Sequence, residues 1–278
     1  MAELPEIETI RRDLDKDVGG RKVKDVDAPG AMALFEGFST RKAVANRLTG
    51  RKIGSVQRRG LTLIFDIGED ELMTITLGPG GGLRRNANKD ALEDNTAFVI
   101  GFTQGGQLRM IAPENDSAKV EVIAADELDS AVPTPDGFDP IDEPIPWTVF
   151  GQTLRAQGDS KLRALLMNDA FVVGIGPVYA DEILHAALLR HDRTAESITI
   201  QEIRRLYRAI VETMHNAVKH RGTTLSDGVY LDVFGNPGGF TEYLEVYERA
   251  GLRSRNGRGE VQKVRVGGQT HYYCDYQV

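Results

Sequence analysis

Apolar residues recur at steps of three and four near the start of the chain. Ile7, Ile10 and Leu14 would share one helical face, and Pro5 suits a first turn, where its missing N–H is no loss. A helix is therefore expected over 5–18. From about residue 22 to 125 the period changes to two. The runs KVKDVDA, KIGSVQRR, LTLIFDI, LMTITLG, TAFVIGFT and KVEVIAA alternate apolar and polar positions between clusters of Gly, Asp and Asn, which is the pattern of short antiparallel strands in a sandwich. Inside this stretch FSTRKAVANRLTG (38–50) has the helical period, with Ser39 or Thr40 as its N-cap.

Residues 132–147, VPTPDGFDPIDEPIPW, hold five prolines and four acids and read as a linker. After it the helical period returns over 147–156, 160–169, 178–188 and 199–220. The tail goes back to period two, and VQKVRVGG with THYYCDYQV predicts one hairpin turning at Gly267 and Gly268. The expected fold class is α+β: an antiparallel β-sandwich over 1–131, the linker at 132–147, a helical domain over 148–240 and a terminal β-hairpin unit over 241–278.

Composition narrows the class. With 278 residues, 41% of them apolar, the chain has room for two domains and a sizeable core, which excludes wholesale disorder. It has no run of 18 apolar residues and no basic start followed by an apolar stretch. No membrane partner is expected, and a cytoplasmic location is the simplest expectation. The single cysteine, Cys274, excludes an internal disulfide and a four-cysteine zinc site. Neither a metal nor another cofactor is expected.

The net charge of −7 is unusual for a nucleic-acid binder, but it is unevenly spread. Residues 1–150 carry 18 Lys and Arg against 26 Asp and Glu, or −8, whereas 151–278 carry 16 against 15, or +1. Between 249 and 265 stand Arg249, Arg253, Arg255, Arg258, Lys263 and Arg265 against Glu260 alone. Such a cluster is either a solvated hairpin surface or a phosphate-contacting element.

Three ordered segments carry a family resemblance. MAELPEIETIRRDL is similar to the Met-Pro-Glu-Leu-Pro-Glu-Val-Glu opening of the formamidopyrimidine-DNA glycosylase and endonuclease VIII family. KLRALLMNDAFVVGIGPVYADEILHAALLRHDR resembles its helix–two-turns–helix element, with Gly174, Ile175, Gly176, Tyr179, Ala180, Asp181 and Glu182 on the pattern. GTTLSD (222–227) through GGFTEYLEVYERAG (238–251) resembles the lead-in to its terminal finger. The resemblance implies that 148–240 is a helix–two-turns–helix domain, that 241–278 is a finger hairpin, and that the N-terminal amine attacks the sugar C1′ of a damaged nucleotide to form a Schiff base.

The resemblance assigns roles residue by residue. Ala2 stands where the family has its nucleophilic proline. An α-amine has a reference pKa of ~7.7–8.0, so part of it is unprotonated near neutrality, and a primary amine also forms an imine. If Met1 stays, the free amine moves by roughly 3.3–3.6 Å of extended chain and position 2 is blocked. Glu3 and Glu6 match the two N-terminal carboxylates, which move protons at the opening sugar. Acids in a first helical turn also complement the helix dipole, so the residue types alone leave both readings open. Lys161 matches a family lysine and equally suits a helix surface.

Departures cluster in the DNA grip. Leu61, Pro177 and Gln269 replace a lysine, an asparagine and an arginine that hold phosphates in the family. In the wedge loops, Pro79 replaces a methionine, and 112–117 brings Glu114 and Asp116 to a loop from which the family inserts an arginine and an aromatic. Arg253, Asn256 and Gln277 fill three zinc-ligand positions, so a zincless finger hairpin is expected, with Arg255, Arg258, Lys263 and Arg265 as nucleic-acid contacts. The function expected is a divergent DNA glycosylase and abasic-site lyase of base-excision repair with weak Schiff-base chemistry. The other reading is a paralogue that kept the fold, lost its duplex grip, and binds a protein, single-stranded nucleic acid or a small ligand. DNA is the expected partner, bound weakly by a monomer.

Overall fold

The computed structural model describes residues 2–113, 117–255 and 257–278. The state of Met1, the repulsion expected from Glu114 and Asp116, and the replacement at Asn256 lie outside them. The chain divides into two compact units, one formed by Met1–Thr134 with His220–Gly239 and the other by Pro135–Lys219 with Phe240–Val278.

The first unit opens with helix α1 (Leu4–Val18). Its start is set locally: Pro5 lies in the first turn, and the Glu6 carboxylate accepts a hydrogen bond from the Glu3 N–H at 2.9 Å. Leu4, Ile7, Ile10, Leu14 and Val18 form its buried stripe. Strand β1 (Val23–Asp27) is followed by α2 (Arg41–Leu48), which Thr40 caps by accepting from the Ala43 N–H at 3.1 Å. Strands β2 (Val56–Arg59), β3 (Thr62–Asp66), β4 (Glu71–Thr76), β5 (Gly82–Asn86), β6 (Thr96–Phe102), β7 (Gln107–Ile111) and β8 (Lys119–Ala124) complete the layers, and the short α3 (Leu128–Ala131) follows. Two antiparallel four-stranded sheets result, ordered β1-β6-β7-β5 and β2-β3-β4-β8. Their buried faces meet α1 in one core that includes Ile10, Leu63, Phe65, Ile75, Phe98 and Met110.

Two strands were not expected from periodicity. β5 reads Gly-Leu-Arg-Arg-Asn and β7 reads Gln-Leu-Arg-Met-Ile, yet Arg84 and Arg109 are buried. The Arg109 guanidinium is accommodated because the Asp90 and Ala91 carbonyls and the Gln107 side chain accept its hydrogen bonds. Polar letters at inward positions hid both strands.

The second unit holds α4 (Trp147–Arg155), α5 (Leu162–Leu166), α6 (Pro177–Ala186) and α7 (Ile200–Lys219). α5 is shorter than the expected 160–169 because turns begin at Asn168, whose carbonyl accepts from the Phe171 and Val172 N–H groups. These turns join α5 to α6, as the helix–two-turns–helix resemblance implies. The proline-rich stretch is not a free tether. Phe138 pairs with Val172 and packs 5.7 Å from the Phe150 ring, so 135–146 belongs to the second unit. The hairpin forms from β9 (Val261–Val266) and β10 (Gln269–Cys274) and turns at Gly267 and Gly268.

The boundary expected at 240 also moves. Segment 220–239 packs on the sandwich, because Arg221 pairs there with Asp13. No helix among the described residues is long and apolar enough to cross a membrane.

Candidate active site

Ala2, Glu3 and Glu6 come together at the start of α1. Ala2 is half-buried against the core, while Glu3 and Glu6 are buried. A buried carboxylate needs partners, and Glu6 has them on both oxygens. One oxygen accepts from the Glu3 N–H, and the other accepts from the Thr223 N–H at 2.8 Å. The second partner is distant in sequence and comes from segment 220–239.

Several interactions hold that segment. Gly222 has φ +79, and a Cβ there would come within 2.8 Å of the Glu6 carboxylate and 3.0 Å of the Tyr230 ring. Only glycine lets the turn approach so closely. The Tyr230 hydroxyl donates to the Arg221 carbonyl at 3.1 Å, and the Thr224 hydroxyl donates to the Tyr230 carbonyl at 2.6 Å. Burial, then the nearby Glu6 and Asp232 charges, push the Tyr230 hydroxyl above the ordinary tyrosine range, so it stays a proton donor. Arg221 links Asp13 at 2.5 Å to the fully buried Asp232 at 2.6 Å. The result is a buried carboxylate clamped between its own helix and a tethered turn.

Below it on α1, Glu8 is fully buried and accepts from Arg58 at 2.8 Å, Arg11 at 2.9 Å and Arg12 at 2.6 Å. Burial alone would raise its carboxyl, but the hydrogen bonds from Arg11, Arg58 and Arg12 outweigh it and hold the group at about 2. Glu8 is therefore a structural anion that anchors the helix carrying Glu3 and Glu6.

The remaining expected residues lie elsewhere. Lys161 is in the second unit, exposed at the N-cap of α5. Leu61 is half-buried against the sandwich core, which accounts for an apolar side chain at the family's lysine position. Pro177 opens α6, where its fixed φ suits the first turn. Gln269 accepts a hydrogen bond from Arg163 at 2.8 Å, and Arg163 also binds the buried Asp181 at 2.6 Å. The side chain at the family's arginine position thus serves a buried arginine that sequence reading missed. Pro79 is exposed, as a wedge must be. Arg255 and Arg258, ahead of β9, and Lys263 and Arg265, on β9, are exposed, with the Arg255 guanidinium donating to the Leu244 carbonyl at 3.0 Å.

No group of three or more metal-ligating side chains occurs among the described residues. Cys274 is buried beside Val246 and Val261, and burial raises its thiol pKa, which disfavours a thiolate ligand. Gln277 closes the hairpin instead: its carbonyl accepts from the Cys274 N–H at 2.6 Å, and its amide donates to the Leu189 carbonyl at 2.7 Å. Glu182 adds a second anchor by accepting from the N–H groups of Glu245, Val246 and Tyr247. The Arg253 guanidinium donates to the Gly257 carbonyl.

Comparison with known proteins agrees with this architecture. The family model for the formamidopyrimidine-DNA glycosylase N-terminal domain matches residues 1–115, and that for the formamidopyrimidine-DNA glycosylase H2TH domain matches 137–228. A formamidopyrimidine-DNA glycosylase of Pelotomaculum thermopropionicum is 31% identical over 277 residues, covering 99% of this chain and 98% of that protein. One from Lactococcus lactis is 28% identical over 277 residues, again covering 99% and 98%. The solved complex of Lactococcus lactis Fpg with DNA containing an abasic site superposes with a TM-score of 0.87 at 26% identity, covering 98% of each chain.

Proposed function

Since the chain belongs to the formamidopyrimidine-DNA glycosylase family, we propose that it acts in base-excision repair as a DNA glycosylase whose surviving chemistry is greatest as an abasic-site lyase. The observation that carries this is the placement of Glu3 and Glu6 beside Ala2, with both Glu6 oxygens held by backbone N–H groups. Once Met1 is removed, the Ala2 amine adds to C1′ of the ring-opened abasic sugar. Water leaves and an imine forms, with Glu3 supplying the proton for the departing oxygen. Loss of the C2′ proton then expels the 3′ phosphate. Lys161 is assigned to the same chemistry by resemblance, and Arg255, Arg258, Lys263 and Arg265 to phosphate contact.

Abasic DNA has no base to flip, so the altered wedge at Pro79 matters least there. Leu61, Pro177 and Gln269 leave the duplex grip without three phosphate contacts. Of these, the two lost cations, at Leu61 and Gln269, should each flatten the salt dependence of binding by about 0.9 in log–log slope. We therefore expect weak duplex affinity and activity that appears first as strand cleavage at abasic sites.

Borohydride trapping on abasic single- and double-stranded DNA tests the reading, with intact mass reporting the state of Met1. Trapping by the processed form and none by the Met1-retaining form is expected. Trapping by the Met1-retaining form, or efficient excision of an oxidised purine, contradicts the proposal.

A further inference from the structure

Arg84, in β5, is a buried cation whose guanidinium contacts no carboxylate among the described residues. It is 8% exposed, and among the described residues it forms no ion pair. The other buried arginines are compensated: Arg58 by Glu8, Arg163 by Asp181, and Arg109 by carbonyl and amide oxygens that take hydrogen bonds from all three of its nitrogens. A guanidinium has five N–H donors. In Arg84 the carbonyls of Leu83 at 3.0 Å and Leu231 at 2.9 Å occupy Nη1, and Nε and Nη2 have no protein acceptor among the described residues. Burial pulls the group below the ordinary arginine range, with the charges of Glu93, Tyr230 and Asp232 acting in the other direction.

The surroundings suit an oxyanion. The turn before β5 reads Gly78-Pro79-Gly80-Gly81 and Gly82 opens the strand, with the Gly81 N–H donating to the Gly78 carbonyl and Gly80 at φ +80. A Cβ at Gly82 would lie 2.9 Å from Nη1 and 3.3 Å from Nη2, so glycine there lets the guanidinium lie against the strand. Side-chain-free residues also allow a phosphate oxygen to approach the backbone. The unused Nε–H and Nη2–H form the planar fork that matches two oxygens of one phosphate. Leu231, which positions the fork, belongs to the segment whose Thr223 holds Glu6, so the group sits on the active-site scaffold.

We propose that Arg84 and the glycine-rich segment 78–82 seat a phosphate oxyanion supplied by the backbone of bound nucleic acid, replacing part of the grip that Leu61 and Gln269 do not provide. The choice of occupant rests on the nucleic-acid reading above. The anion seat itself rests on Arg84.

Two measurements on the full chain separate them. The first is the thermal midpoint in inorganic phosphate against chloride at equal ionic strength. Wild type should be stabilised by phosphate, and Arg84→Met should lose that response while its midpoint in chloride stays level or rises, because a costly buried charge is gone. The second is the salt dependence of binding to an abasic-site oligonucleotide. Arg84→Met should flatten the log–log slope by about 0.9, and Arg84→Lys, which keeps the charge without the fork, should retain the slope with weaker affinity. The lysine variant keeps the test readable if the methionine variant does not fold. A chloride midpoint that falls in Arg84→Met, with phosphate response and slope unchanged, makes Arg84 a structural donor to Leu231 and overturns the proposal. A phosphate response without any nucleic-acid binding leaves the seat and removes its proposed occupant. Oligonucleotide binding with a slope indifferent to Arg84 does the reverse.

Discussion

Replacing Gly222 by alanine should unseat Glu6. The new Cβ would meet the Glu6 carboxylate oxygen at 2.8 Å and its Cγ at 2.9 Å, closer than real Cβ contacts, and the Tyr230 ring at 3.0 Å, tighter than nearly all of them. The backbone there has φ +79, which costs an L-residue ~1–2 kcal/mol, and overpacking a tight site adds ~1–3 kcal/mol. Relief of the clash by moving Glu6 would break the 2.8 Å bond from the Thr223 N–H, and a hydrogen bond to a charged group contributes ~1.5–3 kcal/mol. These terms are alternatives more than additions, so the expected loss is ~2–4 kcal/mol. Gly228→Ala is the control, since it lies in the same segment at φ +65 with open space around it and should cost only the backbone strain of ~1–2 kcal/mol. Urea unfolding measures both losses, and borohydride trapping on abasic DNA reports the carboxylate. If Gly222→Ala costs no more than Gly228→Ala and traps abasic DNA as well as wild type, Glu6 is not held by this turn.

Three further outcomes are expected. Glu8 has a folded pKa of about 2 against an ordinary 4.5, so its contribution is complete above 4.5 and fades as pH falls from there toward 2; at ~1.36 kcal/mol per unit it is worth up to ~3 kcal/mol, and Glu8→Gln should lower stability at pH 7 while flattening that acid limb, whereas an unchanged limb would assign it to other groups. Gln269→Arg should destabilise the second unit by ~1–3 kcal/mol, because it removes the acceptor of buried Arg163 and adds a like charge, and a gain in both stability and DNA affinity would contradict this geometry. Metal analysis should find far less than one zinc per chain, and a chelator should leave the thermal midpoint unchanged; stoichiometric zinc at Cys274 would overturn that expectation.

Much of the architecture was legible because it rests on local rules. The steps of three and four at Ile7, Ile10 and Leu14 produce one buried stripe whatever they pack against. Thr40 caps α2 with its own hydroxyl, and Gly267 and Gly268, at φ +57 and +83, turn the hairpin where the sequence places them. The ordered motifs likewise single out Ala2, Glu3 and Glu6, which the start of α1 places together. What only the tertiary structure decided involves partners far apart in the chain. Glu6 takes its second hydrogen bond from Thr223, 217 positions away, and Gln269 serves Arg163 across 106. β5 and β7 escaped notice because Arg84 and Arg109 are buried, and an arginine is tolerable in a core only where distant carbonyls happen to meet it. Periodicity records which way a side chain points from its own backbone. Whether a charge pointing inward finds an acceptor depends on segments that only folding brings together.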